Sequence, residues 1–208
     1  MVMNPPRRFA IATHPSQPQV AEGARELVER LKILGAEQAS AHTIYEPELK
    51  QLVQQKEIDV LIALGGDGTM LRAGHLVAPK GIPVLGINRG RFGFLMEIDE
   101  LECEDRLNQL LAGDYRLEKR MMLHSVHRRE DEKLGEWHVL NEVVVCRGQY
   151  VRPIQVKARL DGYLLASYVA DGVIASTATG STAYALAVGG PILPPELRNI
   201  LIVAVAPH

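Results

Sequence analysis

Apolar residues in the first half of the chain fall into two patterns that alternate along it. Short continuous apolar runs, which are typical of strands buried on both faces, cover residues 9–13, 60–64 and 82–87. A weaker strand is predicted over residues 41–45. Each of the three strong runs is followed closely by proline, glycine or asparagine, which favour turns.

Helical spacing fills the segments between these strands. After the first strand, apolar residues recur at steps of three and four, on one face of a helix that Gly35 would end: Val20, Ala24, Leu27, Leu31 and Leu34. Further helices are predicted over residues 48–56, 70–77 and 99–111. Because strands that alternate with helices favour a parallel sheet, residues 1–112 are predicted to form a small doubly wound α/β domain.

The pattern changes near Gly113. Residues 113–208 lack a long helical period and contain short runs that predict strands: 116–126, 137–146, 154–160, 163–169 and 172–176. The charged stretch at 128–135 is predicted to be a hairpin loop, and Asp161-Gly162 a tight hairpin turn. This half is therefore predicted to be a β-rich, sandwich-like domain.

Composition and charge narrow the classes of function. Apolar residues make up 47% of the 208 residues and charged residues 23%, the balance of a globular chain with a core. The net charge of -2 gives no electrostatic case for binding nucleic acid or an anionic membrane, and no apolar stretch is long enough for a signal sequence or a membrane span. Cys103 and Cys146 lie far apart without metal-ligand spacing, which fits free thiols in the cytoplasm.

The strongest candidate for chemistry is the segment Gly65-Gly66-Asp67-Gly68-Thr69, directly after an apolar run. In an open α/β sheet, ligands bind at the carboxyl ends of strands. Glycines there let backbone N–H groups approach phosphate oxygens, and a single aspartate can hold Mg²⁺ or accept a proton. An ordinary capped turn is the alternative interpretation.

A second glycine-rich segment, residues 86–95, follows the next apolar run, and two such loops can wall one crevice. It carries Arg89 and Arg91, which are candidates for contact with phosphate. Solvated arginines on a surface loop are the alternative.

The β-rich half contains two polar interruptions. Asn141 and Glu142 stand within a run of valine and leucine, so strand alternation turns one of them inward, unless both are solvated at a strand edge. Adenine edges and ribose hydroxyls are partners of the kind that these side chains serve. Residues 176–184 hold five serine and threonine hydroxyls, more than are needed to cap a helix predicted at 183–188. The surplus predicts a loop around a polar ligand, with an over-polar surface loop as the alternative.

Together these segments resemble the NAD kinase family. The resemblance rests on Gly65-Gly66-Asp67-Gly68-Thr69, on residues 86–95, on Asn141-Glu142 and on residues 177–184 followed by Gly189-Gly190-Pro191, which occur in the family's order. The first segment alone is weak, since lipid kinases and phosphofructokinases carry similar ones, but the four together are specific.

The resemblance implies transfer of the γ-phosphoryl group of ATP, or of polyphosphate in some members, to the 2′-hydroxyl of the adenosine ribose of NAD. Asp67 would be the catalytic aspartate, as a general base or through Mg²⁺ or another divalent metal. The remaining family positions would bind nucleotides: Gly66, Gly68 and Thr69 around phosphates, Arg72 beside them in sequence, Asn141 and Glu142 at the base and ribose, and Asp171, Thr179, Thr182, Ala183 and Tyr184 along the rest of the NAD pocket. A homodimer or homotetramer in the cytoplasm is expected by the same analogy.

The sequence departs from the family pattern at several positions. Family members usually have proline where Ala178 stands and a polar residue near Val169. They also continue beyond Pro207-His208 through further strands, so the β-rich domain is expected to be incomplete, and this form less active and less stable than an extended one.

Two other classes of function stay open. A lipid or sugar kinase could share the Gly-Gly-Asp-Gly segment, although Asn141-Glu142 and the hydroxyl-rich loop argue against it. A non-catalytic nucleotide-binding module is the second. The sequence has neither a Walker A lysine nor a Rossmann glycine fingerprint, which favours NAD as a substrate over NAD as a redox cofactor.

Overall fold

The computed structural model describes residues 4–89, 93–99, 102–149 and 152–208. The chain divides into two units, Met1–Leu117 and Glu118–His208. The first unit holds a five-stranded parallel sheet covered by helices, and the second is built from antiparallel strands. The predicted fold class is therefore confirmed.

In the first unit, strands and helices alternate along the chain. Its elements are β1 (Arg8–Thr13), α1 (Pro18–Ile33), β2 (Gln38–Thr43), α2 (Pro47–Gln55), β3 (Val60–Gly65), α3 (Asp67–Val77), β4 (Val84–Asn88), β5 (Ile98–Asp99) and α4 (Cys103–Leu111). The strands lie in the order β2-β1-β3-β4-β5 and all neighbours are parallel. The carboxyl end of β3 is thus flanked by the carboxyl ends of β1 and β4.

Both faces of this sheet are buried. Phe9 and Ile62 belong to the core cluster that α1 and α4 cover, whereas Ala10 and Leu61 belong to the cluster beneath α2 and α3. Successive side chains of a strand point to opposite faces, so a strand buried on both faces is apolar at every position. This arrangement explains the continuous apolar runs in the sequence.

The second unit is organised around one long strand. Its elements are β6 (Leu123–Arg129), β7 (Glu132–Val139), β8 (Glu142–Cys146), β9 (Ile154–Leu160), β10 (Tyr163–Ser176), α5 (Tyr184–Ala187) and β11 (Leu201–Pro207). β6 and β7 form a hairpin, while β10 pairs with β9 along its first part and with β8 and β11 along its second. The predicted turn at Asp161-Gly162 is confirmed, and both residues have the positive φ of a tight hairpin turn, 51° and 86°.

Several predicted boundaries in the first unit are wrong for local reasons. α3 begins at Asp67 and not at residue 70, because the Gly66 carbonyl already accepts the N–H groups of Thr69 and Met70. Asp99 lies in β5, and α4 begins only at Cys103.

In the second unit, the predicted strand over 137–146 is interrupted at Leu140 and Asn141, so the alternation argument does not apply to Asn141. The strand predicted over 116–126 begins at Leu123, and the charged stretch at 128–135 is mostly strand around a short turn. Residues 163–169 and 172–176 form one strand. The helix predicted at 183–188 is present as the short α5, and a 3-10 helix at Thr179–Thr182 lies within the loop that was predicted before it. Across the described ranges, no helix is long and apolar enough to cross a membrane.

Candidate functional site

The carboxyl end of β3 brings Asp67 to the first position of α3. Gly65 has a φ of +148°, and a Cβ atom there would lie 2.9 Å from Thr69 Oγ1 and 3.3 Å from Gln17 Oε1. Gly66 is extended and precedes the helix. The tight turn thus requires glycine at position 65 and places Asp67 at the edge of the sheet where α/β proteins bind ligands.

The Asp67 carboxylate holds the second glycine-rich segment. Oδ2 accepts the N–H of Phe94 and Oδ1 accepts the N–H of Leu95, each at 3.0 Å. A Cβ atom at Gly93 would overlap Asp67 Oδ1, so this close approach requires glycine. The two glycine-rich segments therefore meet at Asp67, and since an ionised carboxylate has about four acceptor positions, Asp67 retains capacity for a ligand hydroxyl.

The other predicted residues of this turn are Gly66, which precedes α3, and Gly68, Thr69 and Arg72 in its first turns. Gly68 is exposed, Gly66 is half-buried, and Thr69 is buried with its hydroxyl toward Gly65. Arg72 Nη1 donates to the carbonyl oxygen of Gly68 at 2.7 Å, which keeps the guanidinium beside the turn. The amino end of a helix attracts anions through its N–H groups, so these residues suit phosphate binding.

The side chain of Arg89, which was predicted to contact phosphate, lies on α1. The guanidinium packs against α1 at Gly23, with Nη2 3.9 Å from Glu26 Oε2, and not at the glycine turn. The other predicted phosphate contact, Arg91, lies outside the described residues.

Two residues that the sequence reasoning missed flank this turn. Gln17 precedes α1 and Asn88 ends β4. Within the described part of the chain, Gln17 Oε1 and Asn88 Oδ1 are buried acceptors with no hydrogen-bond partner. A buried acceptor without a partner costs about 1–3 kcal/mol, so such atoms point to a water or a ligand donor. The available signal was their position near the carboxyl ends of the strands that neighbour β3, since Asn88 ends β4 and Gln17 follows the end of β1 by four residues.

In the second unit, Asn141 and Glu142 lie at the start of β8. Among the described residues, Asn141 Oδ1 and Glu142 Oε2 are also buried without a partner. Burial raises the pKa of Glu142, and a hydrogen bond from the backbone of Tyr184 partly offsets this. Each of these two side chains therefore holds a buried acceptor oxygen that the described residues leave without a partner.

The hydroxyl-rich loop at 177–184 is fastened to the backbone of the Asn141 turn. Thr177 N–H donates to the Asn141 carbonyl at 2.8 Å, and Thr177 Oγ1 donates to the Leu140 carbonyl at 2.6 Å. A Cβ atom at Gly180 would overlap the Asn141 carbonyl oxygen. The loop therefore crosses directly over Asn141, and Glu142 and Tyr184 come together beside it.

The surplus of hydroxyls has a structural explanation that the sequence did not show. Ser176 donates to the Thr177 carbonyl at 3.0 Å, Ser181 to the Ala178 carbonyl at 2.7 Å and Thr182 to the Thr179 carbonyl at 3.2 Å. The loop's own backbone therefore accepts the protons of these three hydroxyls, and a ligand within the loop stays a prediction.

The remaining predicted residues of this unit lie in the hydroxyl-rich loop, except for Asp171, which lies in β10. Thr179 is buried and its Oγ1 accepts a hydrogen bond from Arg120 Nη1 at 3.3 Å, while Tyr184 is exposed and Ala183 half-buried. Asp171 lies roughly 16 Å before Ser176 along β10, at about 3.3 Å per residue. Its carboxylate pairs with Arg147 Nε at 3.1 Å. Arg120 is a further residue that the sequence reasoning missed, since nothing in its charged segment marks it.

The chain matches known families along most of its length. Residues 13–115 match the family model of the ATP-NAD kinase N-terminal domain, and residues 140–208 match that of the ATP-NAD kinase C-terminal domain. Among curated relatives, an NAD kinase of Symbiobacterium thermophilum is 37% identical over 97% of this chain and 73% of its own length. Those of Moorella thermoacetica and Heliobacterium modesticaldum are 39% and 44% identical, over 97% and 78% of this chain. The match covers only 66% and 56% of these two relatives.

Two solved structures resemble this one. An NAD kinase from Archaeoglobus fulgidus in complex with ATP has a TM-score of 0.72 and 27% identity, over 96% of this chain and 72% of that chain. Yeast NADH kinase complexed with NADH has a TM-score of 0.79 over 99% of this chain and 67% of that chain, and at 24% identity this likeness shows the fold alone.

Proposed function

Because the chain belongs to the NAD kinase family, we propose that it transfers the γ-phosphoryl group of ATP, or of polyphosphate, to the 2′-hydroxyl of the adenosine ribose of NAD. In this reaction the ribose oxygen bonds to the γ-phosphorus, the bond from that phosphorus to the leaving phosphate breaks, and the hydroxyl proton leaves. Such transfers depend mainly on positioning and on stabilising charge.

Asp67 is the proposed acceptor of the hydroxyl proton. Its carboxylate is fixed by the N–H groups of Phe94 and Leu95, one on each oxygen, which leaves further lone pairs for the ribose hydroxyl. Gly66, Gly68 and Thr69, with Arg72 beside them, form the amino end of α3 and would hold phosphate oxygens.

The observation that carries the choice of NAD as acceptor is the pair of buried oxygens on Asn141 and Glu142. These acceptors match donors that a nucleoside offers, namely the exocyclic amine of adenine and the ribose hydroxyls. Neighbouring positions of the loop, Thr179, Thr182, Ala183 and Tyr184, would line the same pocket. Asp171 would have to act from elsewhere on β10.

Mg²⁺ is proposed as the divalent metal. In the described ranges, no group of three or more His, Cys, Asp or Glu side chains could hold a metal ion. The residues present therefore fit an ion that Asp67 contacts and that substrate phosphates and water mainly coordinate, which is the usual situation for Mg²⁺. When bound, it would neutralise charge on the transferred group.

A homodimer or homotetramer in the cytoplasm is also proposed. Exposed large apolar side chains on the β9–β10 hairpin, including Leu160, Tyr163, Leu164 and Leu165, support association. The free thiols of Cys103 and Cys146 fit a reducing compartment.

The proposal is tested by measuring NADP formation with Mg²⁺ and ATP, other nucleotides or polyphosphate. We expect NADP with at least one donor, and a loss of at least about 100-fold in kcat for Asp67→Asn, since one positioned base contributes roughly 10²–10⁴-fold. Asp114→Asn, which alters an exposed carboxylate, is the matched control.

Three outcomes would contradict the proposal. Phosphorylation of diacylglycerol or fructose phosphate without NADP formation would favour a lipid or sugar kinase. Binding of NAD without any turnover would favour a binding module. Full activity in Asp67→Asn would remove Asp67 from its assigned role.

A further inference from the structure

Arg89 connects three elements of the first unit. It directly follows β4, and its backbone N–H donates to the carbonyl oxygen of Gly65, the last residue of β3, at 3.2 Å. Its side chain extends to α1, where Nη2 lies 3.9 Å from Glu26 Oε2. One residue thus joins the ends of two adjacent strands to the helix that packs on them.

Gly23 makes room for this side chain. It is buried in α1, and a Cβ atom there would overlap Nη1 and Cζ of Arg89. A cavity of about 110 Å³ lies beside the guanidinium, with Leu64 and Cys103 in its wall. An alanine at position 23 is therefore expected to push the guanidinium aside, while the helix itself tolerates alanine better than glycine.

The connection that follows Arg89 reaches Asp67. Phe94 and Leu95 donate their N–H groups to the Asp67 carboxylate, and Gly93 packs against Oδ1. Arg89 therefore fixes the end of β3 and the start of the connection between β4 and β5. Phe94 and Leu95, whose N–H groups orient Asp67, lie further along that connection.

We propose that Arg89 is a positioning residue for Asp67, held in place by its packing on Gly23, and that it is not a ligand of phosphate. The expected fall in kcat rests on the proposed function, whereas the expected loosening of the bonds from Phe94 and Leu95 to Asp67 does not. Misplacement of a reacting group by about 1 Å can cost a factor of 100 in rate, so loss of this anchor is expected to act on kcat.

The test compares Gly23→Ala, Arg89→Gln and the double variant. Gly148→Ala, where no atom lies within 4 Å of the new Cβ, and Arg25→Gln, which removes an exposed charge from α1, are the matched controls. Two quantities are measured: amide hydrogen exchange of Phe94 and Leu95 in the free protein, and kcat with the KM of each substrate.

We expect exchange at both amides to become at least about 10-fold faster in each single variant, because their bonds to Asp67 loosen. We expect kcat to fall about 10-fold or more, with both KM values within about 2-fold of wild type. The double variant should be no worse than the more impaired single variant, since both changes remove the same contact. Both controls should behave as wild type.

Different results would overturn the proposal. If Arg89→Gln raises the KM for the phosphoryl donor while Gly23→Ala, which retains the charge, changes neither exchange nor kinetics, Arg89 is a phosphate ligand. If exchange at Phe94 and Leu95 is unchanged in both single variants, the positioning role is wrong, whether or not the protein makes NADP. If exchange responds as expected but the wild type makes no NADP, the proposed function fails and the positioning role stands.

Discussion

The substitution Thr177→Val measures how much one buried hydroxyl contributes to the stability of the second unit. Thr177 is 0% exposed, and its Oγ1 donates to the Leu140 carbonyl at 2.6 Å and accepts the N–H of Gly180 at 2.9 Å. Valine has nearly the same shape, so the substitution removes both hydrogen bonds and leaves the packing in place. Two backbone groups then remain buried without partners.

The magnitude follows from these two groups. Each of the two buried groups left without a partner costs about 1–3 kcal/mol, and the added methyl group returns about 0.8 kcal/mol, so Thr177→Val should lower the free energy of unfolding by about 1–5 kcal/mol. Thr177→Ser keeps the hydroxyl and removes a methyl group, which should cost about 1 kcal/mol.

Urea unfolding followed by far-UV circular dichroism measures both variants, and amide exchange of Gly180 reports the local loss. The order of the two variants is decisive. If packing alone mattered, the serine variant would be the less stable one, because valine fills the site and serine does not. A serine variant less stable than the valine variant, or a valine variant within about 0.5 kcal/mol of wild type, would refute the reasoning.

Three further predictions concern carboxylates. Burial acts to raise the pKa of Asp59, but hydrogen bonds from Arg8 and from two backbone N–H groups outweigh it and lower that pKa. Asp59→Asn should therefore lower the free energy of unfolding by about 1–2 kcal/mol near neutral pH. Urea unfolding should show this difference shrink once the pH falls below about 3.9, the pKa in the unfolded chain, and vanish below the lower pKa of the folded state. Burial raises the pKa of Glu142, so the ionised form destabilises the folded state. Glu142→Gln should therefore raise the free energy of unfolding in urea at pH values above that pKa and leave it unchanged well below it. Calorimetry should also show weaker NAD binding by this variant. A hydrogen bond from Lys133 is the main cause that lowers the pKa of Glu136 to about 2, so Lys133→Ala should raise that pKa toward its ordinary value in a carboxyl NMR titration.

The sequence reasoning succeeded where the information is local. Burial on both faces of β3 produces a continuous apolar run, and the glycines around Asp67 follow it within the same segment, so both could be recognised without the fold. The sequence predicted that the two glycine-rich loops share a crevice, but not that the N–H groups of Phe94 and Leu95 bond to Asp67.

It failed where a side chain's partner is distant in sequence. The Thr177 hydroxyl bonds to Leu140, and Arg120 bonds to Thr179, and no periodic pattern relates such positions. Arg89 has a long side chain whose direction depends on the space at Gly23, which is visible only once α1 packs beside β3 and β4. The count of hydroxyls likewise did not show that backbone carbonyls of the loop accept hydrogen bonds from three of them.

The pairing of β10 also bears on the order in which the second unit folds. β9 joins it through the short turn at Asp161-Gly162, whereas Gly172 stands opposite Cys146 of β8 and Val205 of β11. Docking these two strands closes loops of roughly 30 residues, whose entropic cost exceeds that of the hairpin turn. We therefore expect the sheet to grow from the turn toward Ser176. The loop that crosses over Asn141 lies at the far end of β10 and would be ordered last, so a nucleotide bound there would stabilise the final step of folding.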